Sequence, residues 1–162
     1  DAQRAIALWE EALASHWERP NVWIHGDLSP GNLLIRDGCL SAVIDFGQMA
    51  VGDPSCDLSI AWTFFHGESR NALRKALPLD EHTWVRGKAW TLWKALITAA
   101  GTTNPDNFES KRCWKILEDL LSKGWQSSHP TVQETTQMAR NPVKHKAGCM
   151  DVWMERKTDS WL

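Results

Sequence analysis

The 162-residue chain contains no tyrosine, although it carries 11 tryptophans. The bias suggests no particular chemistry, and bulky core packing is the expectation. No run of five basic residues occurs and the net charge is −2, so nothing draws the chain in bulk to nucleic acid or an anionic membrane. No apolar stretch approaches the roughly 20 residues that a membrane-crossing helix needs. The cysteines, Cys39, Cys56, Cys113 and Cys149, form no Cys-x-x-Cys pair. That argues against a zinc site and a disulfide framework, and points to a reducing, cytoplasmic compartment. No signal-peptide pattern opens the chain, which begins Asp1-Ala2-Gln3 inside an expected helix and so reads as a fragment. What remains is a 43% hydrophobic chain, long enough for one domain with its own core.

Periodicity predicts a helix over residues 2–17, with Ile6, Trp9, Leu13 and Trp17 on its apolar face, ended by Pro20. Val22-Trp23-Ile24 reads as a buried strand. Leu33-Leu34-Ile35 and Ala42-Val43-Ile44 read as two strands of a hairpin, because Asp37-Gly38 between them readily takes positive φ. Residues 47–54 are expected to be a loop. Asp53 or Ser55 caps a buried helix running to Phe65, and a polar helix covers 68–77. Long helices follow over 81–100, capped by Asp80, and 107–123. The pattern decays after Trp125, and residues 126–162 are expected to be a divergent or poorly ordered tail. A helix, three short strands and then mostly helices make an α+β lobe rather than a βαβ array.

The chemistry-bearing residues sit at the ends of those strands. His25-Gly26-Asp27-Leu28-Ser29-Pro30-Gly31-Asn32 precedes the hairpin, and Ile44-Asp45-Phe46-Gly47 leaves it. Asn32 and Asp45 can therefore meet at its open end. Phosphoryl transfer from a nucleotide needs a carboxylate to orient a hydroxyl, and oxygen donors to hold magnesium. Asp27 is the candidate base, while Asn32 and Asp45 are the candidate metal and nucleotide-binding residues. The order Asp, four residues, Asn and a later Asp-Phe-Gly is that of protein-kinase catalytic segments. His25 is expected to brace the Asp27 loop, with Asp57 as a candidate partner. Gly26 permits close backbone approach, and Asp53 and Asp57 read as structural support. Cys56 has no matched His or Asn that would make it a nucleophile.

The run from Trp23 to Ile35, then Val43-Ile44-Asp45-Phe46-Gly47, Gly52-Asp53-Pro54 and Asp57-Leu58, closely resembles the aminoglycoside phosphotransferase family. Gly26, where protein kinases typically carry Arg, points the same way. The resemblance covers about residues 1–123. It implies a protein-kinase-like C-terminal lobe over 1–125, with its catalytic loop at 23–35, a metal-binding segment at 43–47 and an acceptor-side helical region at 55–123. It implies ATP and Mg2+, with transfer of the γ-phosphoryl to a small-molecule hydroxyl. By position it gives Asp27 the role of base and Asn32 and Asp45 the metal.

The chain holds no Gly-x-Gly-x-x-Gly loop and no strand-borne Val-Ala-Ile-Lys lysine, and Lys75, Lys88 and Lys94 fall on predicted helices. The nucleotide-gripping N-lobe is therefore expected to be absent from it. The acceptor stays open among antibiotic, choline, homoserine and sugar types. A cationic acceptor could use Asp80, Glu81, Asp106, Glu109, Glu118 or Asp119, whose alternative is a solvated helix face. A non-catalytic remnant serving as a binding module is the alternative to an enzyme.

Overall fold

A computed structural model describes residues 1–101 and 106–122. The expected tail at 126–162 lies outside the described residues. The described part is α+β and mostly helical. Its order is α1 (Ala2–Leu13), β1 (Val22–Ile24), β2 (Leu33–Arg36), β3 (Cys39–Val43), β4 (Ala50–Gly52), a 3-10 turn (Pro54–Ser59) running into α2 (Ile60–Thr63), α3 (Gly67–Ala76), α4 (Glu81–Gly101) and α5 (Phe108–Leu121).

Helix α4 is the centre of the packing. It lies against the 3-10 turn, α5 and α1. The reason is a face of small and polar residues at helical spacing: Thr83, Gly87, Thr91 and Ala95 are all buried. Small side chains let neighbouring backbone approach. A Cβ at Gly87 would stand 2.7 Å from the Leu58 Cβ and 3.0 Å from the Ser55 carbonyl oxygen. Trp84, Val85, Ala89 and Leu92 complete the buried side of α4, but Trp93 and Leu96 are exposed. At the start of α4, Asp80 accepts from both the Thr83 amide and the Thr83 hydroxyl, each at 2.9 Å. Burial alone raises the Asp80 carboxyl, but those bonds outweigh it and hold it below its ordinary value. Asn107 caps α5 through the Ser110 amide at 2.7 Å.

The helix and strand patterns place the elements, but several faces differ from expectation. Helix α1 stops at Leu13 and buries Leu8 and Ala12, leaving Ile6, Trp9 and Leu13 exposed. The apolar stripe read from the sequence is thus the outward one. The inward one is set by small Ala12, which can lie close to α4. Core packing does not explain the tryptophans either. Among the described residues Trp62 and Trp84 are the buried tryptophans, in an edge-to-face pair 6.1 Å between ring centroids, while Trp9, Trp23, Trp90, Trp93 and Trp114 are exposed. Cys56 and Cys113 are free thiols.

The expected loop at 47–54 contains β4, which pairs antiparallel with β1 in the register Val22↔Gly52, Trp23↔Val51 and Ile24↔Ala50. β2 and β3 form the expected hairpin, with Asp37 at φ 52° and Gly38 at φ 77° in its turn. No helix among the described residues is long and apolar enough to cross a membrane.

Gly87→Ala tests the close packing of α4. Helix propensity favours Ala by about 1 kcal/mol, but overpacking costs about 1–3 kcal/mol. Because the contacts are a Cβ and a backbone carbonyl, the crowding wins. The variant is expected to lose up to about 2 kcal/mol in urea unfolding. An unfolding midpoint at or above that of the wild type would show that the turn moves away freely.

Candidate active site

The two β ribbons deliver the candidate residues to one place. β1 ends at Ile24, and the chain turns through His25-Gly26-Asp27 before entering β2 at Leu33. β3 ends at Val43, opposite Leu33, and the Ile44 amide donates to the Asn32 carbonyl at 2.9 Å. Asn32 and Ile44, the residue before Asp45, therefore adjoin at the mouth of the hairpin.

The Asp57 carboxylate organises the loop between the strands. Its Oδ2 accepts from the His25 amide at 2.7 Å, and its Oδ1 accepts from the Gly26 amide at 2.9 Å. Asp57 thus grips the backbone, not the His25 ring. Charge-assisted bonds of this kind are about twice as strong as neutral ones. The His25 ring, itself buried, faces elsewhere: its Nε2 donates to the Ile44 carbonyl at 2.9 Å, and its Nδ1 accepts from the Asp27 amide at 3.3 Å. Those roles require the tautomer with the proton on Nε2. The ring also lies against Phe46, with centroids 4.7 Å apart. One imidazole thereby ties the loop to both residues flanking Asp45.

Gly26 has φ +82°, and a Cβ there would lie 2.2 Å from the Gln48 carbonyl oxygen. Here the backbone of the loop crosses the backbone that follows Asp45-Phe46-Gly47, so no side chain fits.

Asn32 Nδ2 donates to the Asp27 carbonyl at 2.9 Å, which leaves Asn32 Oδ1 as the unused acceptor. Asp45 sits in the left-handed region at φ 64°, is exposed, and has no side-chain partner among the described residues. A non-glycine residue in that conformation costs on the order of 1 kcal/mol or more. These are two hard oxygen donors at one hairpin mouth, the type magnesium prefers, with room left for phosphate and water oxygens. No group of three His, Cys, Asp or Glu side chains placed to hold a metal occurs among the described residues.

Asp53 caps the 3-10 turn through the Ser55 amide at 3.0 Å and pairs with Arg86 of α4, whose Nε lies 2.7 Å away. Arg86 is buried and also donates to the Ser15 and Thr83 hydroxyls at 3.0 and 3.1 Å. Cys56 lies between these acids. Burial, with Asp57 and then Asp53 adding to it, pushes its thiol up to about 11.

Two participants were not marked by the sequence. β4 is one; its short Ala-Val-Gly run carries too little pattern to stand out. The other is Lys94 of α4, whose Nζ lies 2.5 Å from Asp27 Oδ1. The signal available was its place beside the small, polar stripe of α4.

Lys94 also lines a cavity of about 160 Å³ between the loop residues 28–30 and helices α2, α4 and α5. Of the acidic residues considered for an acceptor, Glu109 lines this cavity. Asp80 caps α4, Glu81 pairs with Arg74, Asp119 lies 2.6 Å from Arg70, and Asp106 lies 3.5 Å from Lys111. Glu118 is exposed on α5.

The profile of the phosphotransferase enzyme family (APH) matches residues 1–124. The chain belongs to that family, which makes it a phosphotransferase of the kinase-like superfamily. Searches of the curated proteins and of the solved structures returned no match.

Two outcomes follow from this geometry. Asp57→Ala leaves two loop amides without their acceptor and should cost about 2–4 kcal/mol. It should also speed hydrogen exchange at His25 and Gly26; protection equal to wild type at both amides would contradict the clamp. The Cys56 thiol should react with iodoacetamide at pH 8 far more slowly than an ordinary thiol, because its thiolate is scarce below about 11. Rapid, quantitative alkylation of Cys56 in the folded chain would contradict that.

Proposed function

We propose that this chain is the catalytic and metal-holding part of an ATP- and Mg2+-dependent phosphotransferase that moves a γ-phosphoryl group to a hydroxyl of a small molecule. The observation that carries the reading is the pair of hydrogen bonds that tie Asn32 to the Asp27 loop and to the strand end before Asp45. The Asn32 side-chain amide donates to the Asp27 carbonyl, and the Asn32 carbonyl accepts from the amide of Ile44, the residue before Asp45. These bonds join the three segments that carry Asp27, Asn32 and Asp45, on a loop braced by Asp57 and His25, and so support the reading.

Asp27 accepts the acceptor's hydroxyl proton and aligns its oxygen, a task in which position matters more than a raised pKa. Asn32 Oδ1 and the Asp45 carboxylate hold Mg2+. The metal, when bound, neutralises charge on the phosphates. His25, Gly26, Asp53 and Asp57 are structural supports. In this reading residues 1–125 form the kinase-like lobe, with the loop 23–35 and the segment 43–47 on one side of the transfer site and 55–123 on the acceptor side. A small alcohol fits the cavity beside Lys94, which sets Arg112 beside Glu109 in its wall and is not a purely acidic surface. The chain carries no Gly-x-Gly-x-x-Gly sequence, and no strand among the described residues bears a lysine, so it should turn ATP over slowly by itself.

Mn2+ with ADP provides a test that does not need an acceptor. Wild-type chain should broaden NMR signals around Asn32 and Asp45, and Asp45→Ala should weaken that binding at least about tenfold. Asp27→Ala should leave Mn2+ binding intact yet lower phosphate release from MgATP by about 100-fold or more. Equal Mn2+ broadening in wild type and Asp45→Ala would remove the metal assignment.

A further inference from the structure

Lys94 is a lysine on a helix, outside any nucleotide motif. Its ammonium nevertheless reaches across to the catalytic loop and meets Asp27 Oδ1 at 2.5 Å. Both side chains are 41% exposed. An ion pair so open to water contributes little to holding a fold together, so fold stability does not account for it.

Two further facts give the contact a direction. Asp27 Oδ2 has no partner among the described residues, so one carboxylate oxygen is held and the other is available. Lys94 also lines the cavity between the loop and helices α4 and α5. Its backbone is set by the close packing of α4, where Thr91 and Ala95 on either side are buried. The ammonium therefore links a rigid helix, the cavity and Asp27.

We propose that Lys94 is a positioning residue for phosphoryl transfer. It clamps Asp27 by Oδ1 and leaves Oδ2 free to take the proton of the acceptor hydroxyl. The inference rests on the reading of Asp27 as base. In the step, the acceptor oxygen forms a bond to the γ-phosphorus while the bond from that phosphorus to the β–γ bridging oxygen breaks. ADP leaves with the electron pair, and the acceptor proton passes to Asp27 Oδ2. Lys94 keeps its own proton throughout. Its contribution is geometric, and a misplacement of about 1 Å in such a site can cost roughly 100-fold in rate.

Water can stand in for the acceptor, with phosphate release from MgATP by the 162-residue chain as the readout. Lys94→Met should lower the maximal rate about 10- to 100-fold while the KM for MgATP moves less than about threefold. Lys94→Arg, which keeps a cation on the carboxylate, should recover part of the rate. The Tm of Lys94→Met should stay within about 2 °C of wild type. Wild-type turnover in Lys94→Met, with turnover lost in Asp27→Ala, would overturn the role of Lys94 and leave the base standing. A large fall in Tm without rescue by Lys94→Arg would overturn it in favour of a structural role. If Asp27→Ala releases phosphate as fast as wild type, the reading of the base fails and this inference with it. NMR of the 15N-labelled Lys94 ammonium tests the contact without turnover. Its signal should shift in Asp27→Asn, and an unchanged signal would overturn the clamp.

Discussion

The Asp57 carboxylate is the constraint on which the site depends. Its two oxygens take the amides of His25 and Gly26, consecutive residues of a loop that has few apolar contacts of its own. Without that acceptor, two amides in a half-buried turn would have to find water. With it, the loop is pinned to the start of the helical core, because Asp57 lies in the 3-10 turn packed on α4. Core stability is thereby passed to a polar loop that could not order itself.

Two other contacts carry this order to the second ribbon. The His25 ring reaches the Ile44 carbonyl, and the backbone at Gly26 crosses that of Gln48 at a distance only glycine allows. Asp27 and Asp45 therefore belong to one mechanical unit although they lie 18 positions apart in the chain, and the β1–β4 pairing ties the strands before and after them. Asp53 and Arg86 make a comparable tie on the other side, between the 3-10 turn and the middle of the helical core.

Much of this was legible because each signal was local. Asp37-Gly38 can turn a hairpin on backbone preference alone, and Asn107 and Asp80 cap helices through their own side chains. The grouping of Asp27, Asn32 and Asp45 was legible because the motifs flank that hairpin. What was not legible depended on pairing at a distance. β4 exists because β1 is there to receive it, and its three residues have no pattern of their own. The inward face of α1 was misread because the periodicity of large apolar residues marks one stripe, whereas close helix packing chose the stripe with Ala12. Lys94 escaped because nothing local distinguishes a helix lysine that meets an aspartate 67 positions earlier.

The uneven burial of the tryptophans has an optical consequence. With no tyrosine, near-ultraviolet absorption and emission come almost wholly from indole. The exposed rings are spread over α1, β1, α4 and α5, while Trp62 and Trp84 face each other in the core between α2 and α4. Two indoles held edge to face at 6.1 Å couple their transitions, and a coupled pair gives a circular dichroism signal that vanishes when the rings separate. The chain thus contains its own gauge of whether α2 and α4 are docked, readable without a label, while the exposed indoles report on the surface at a different emission wavelength.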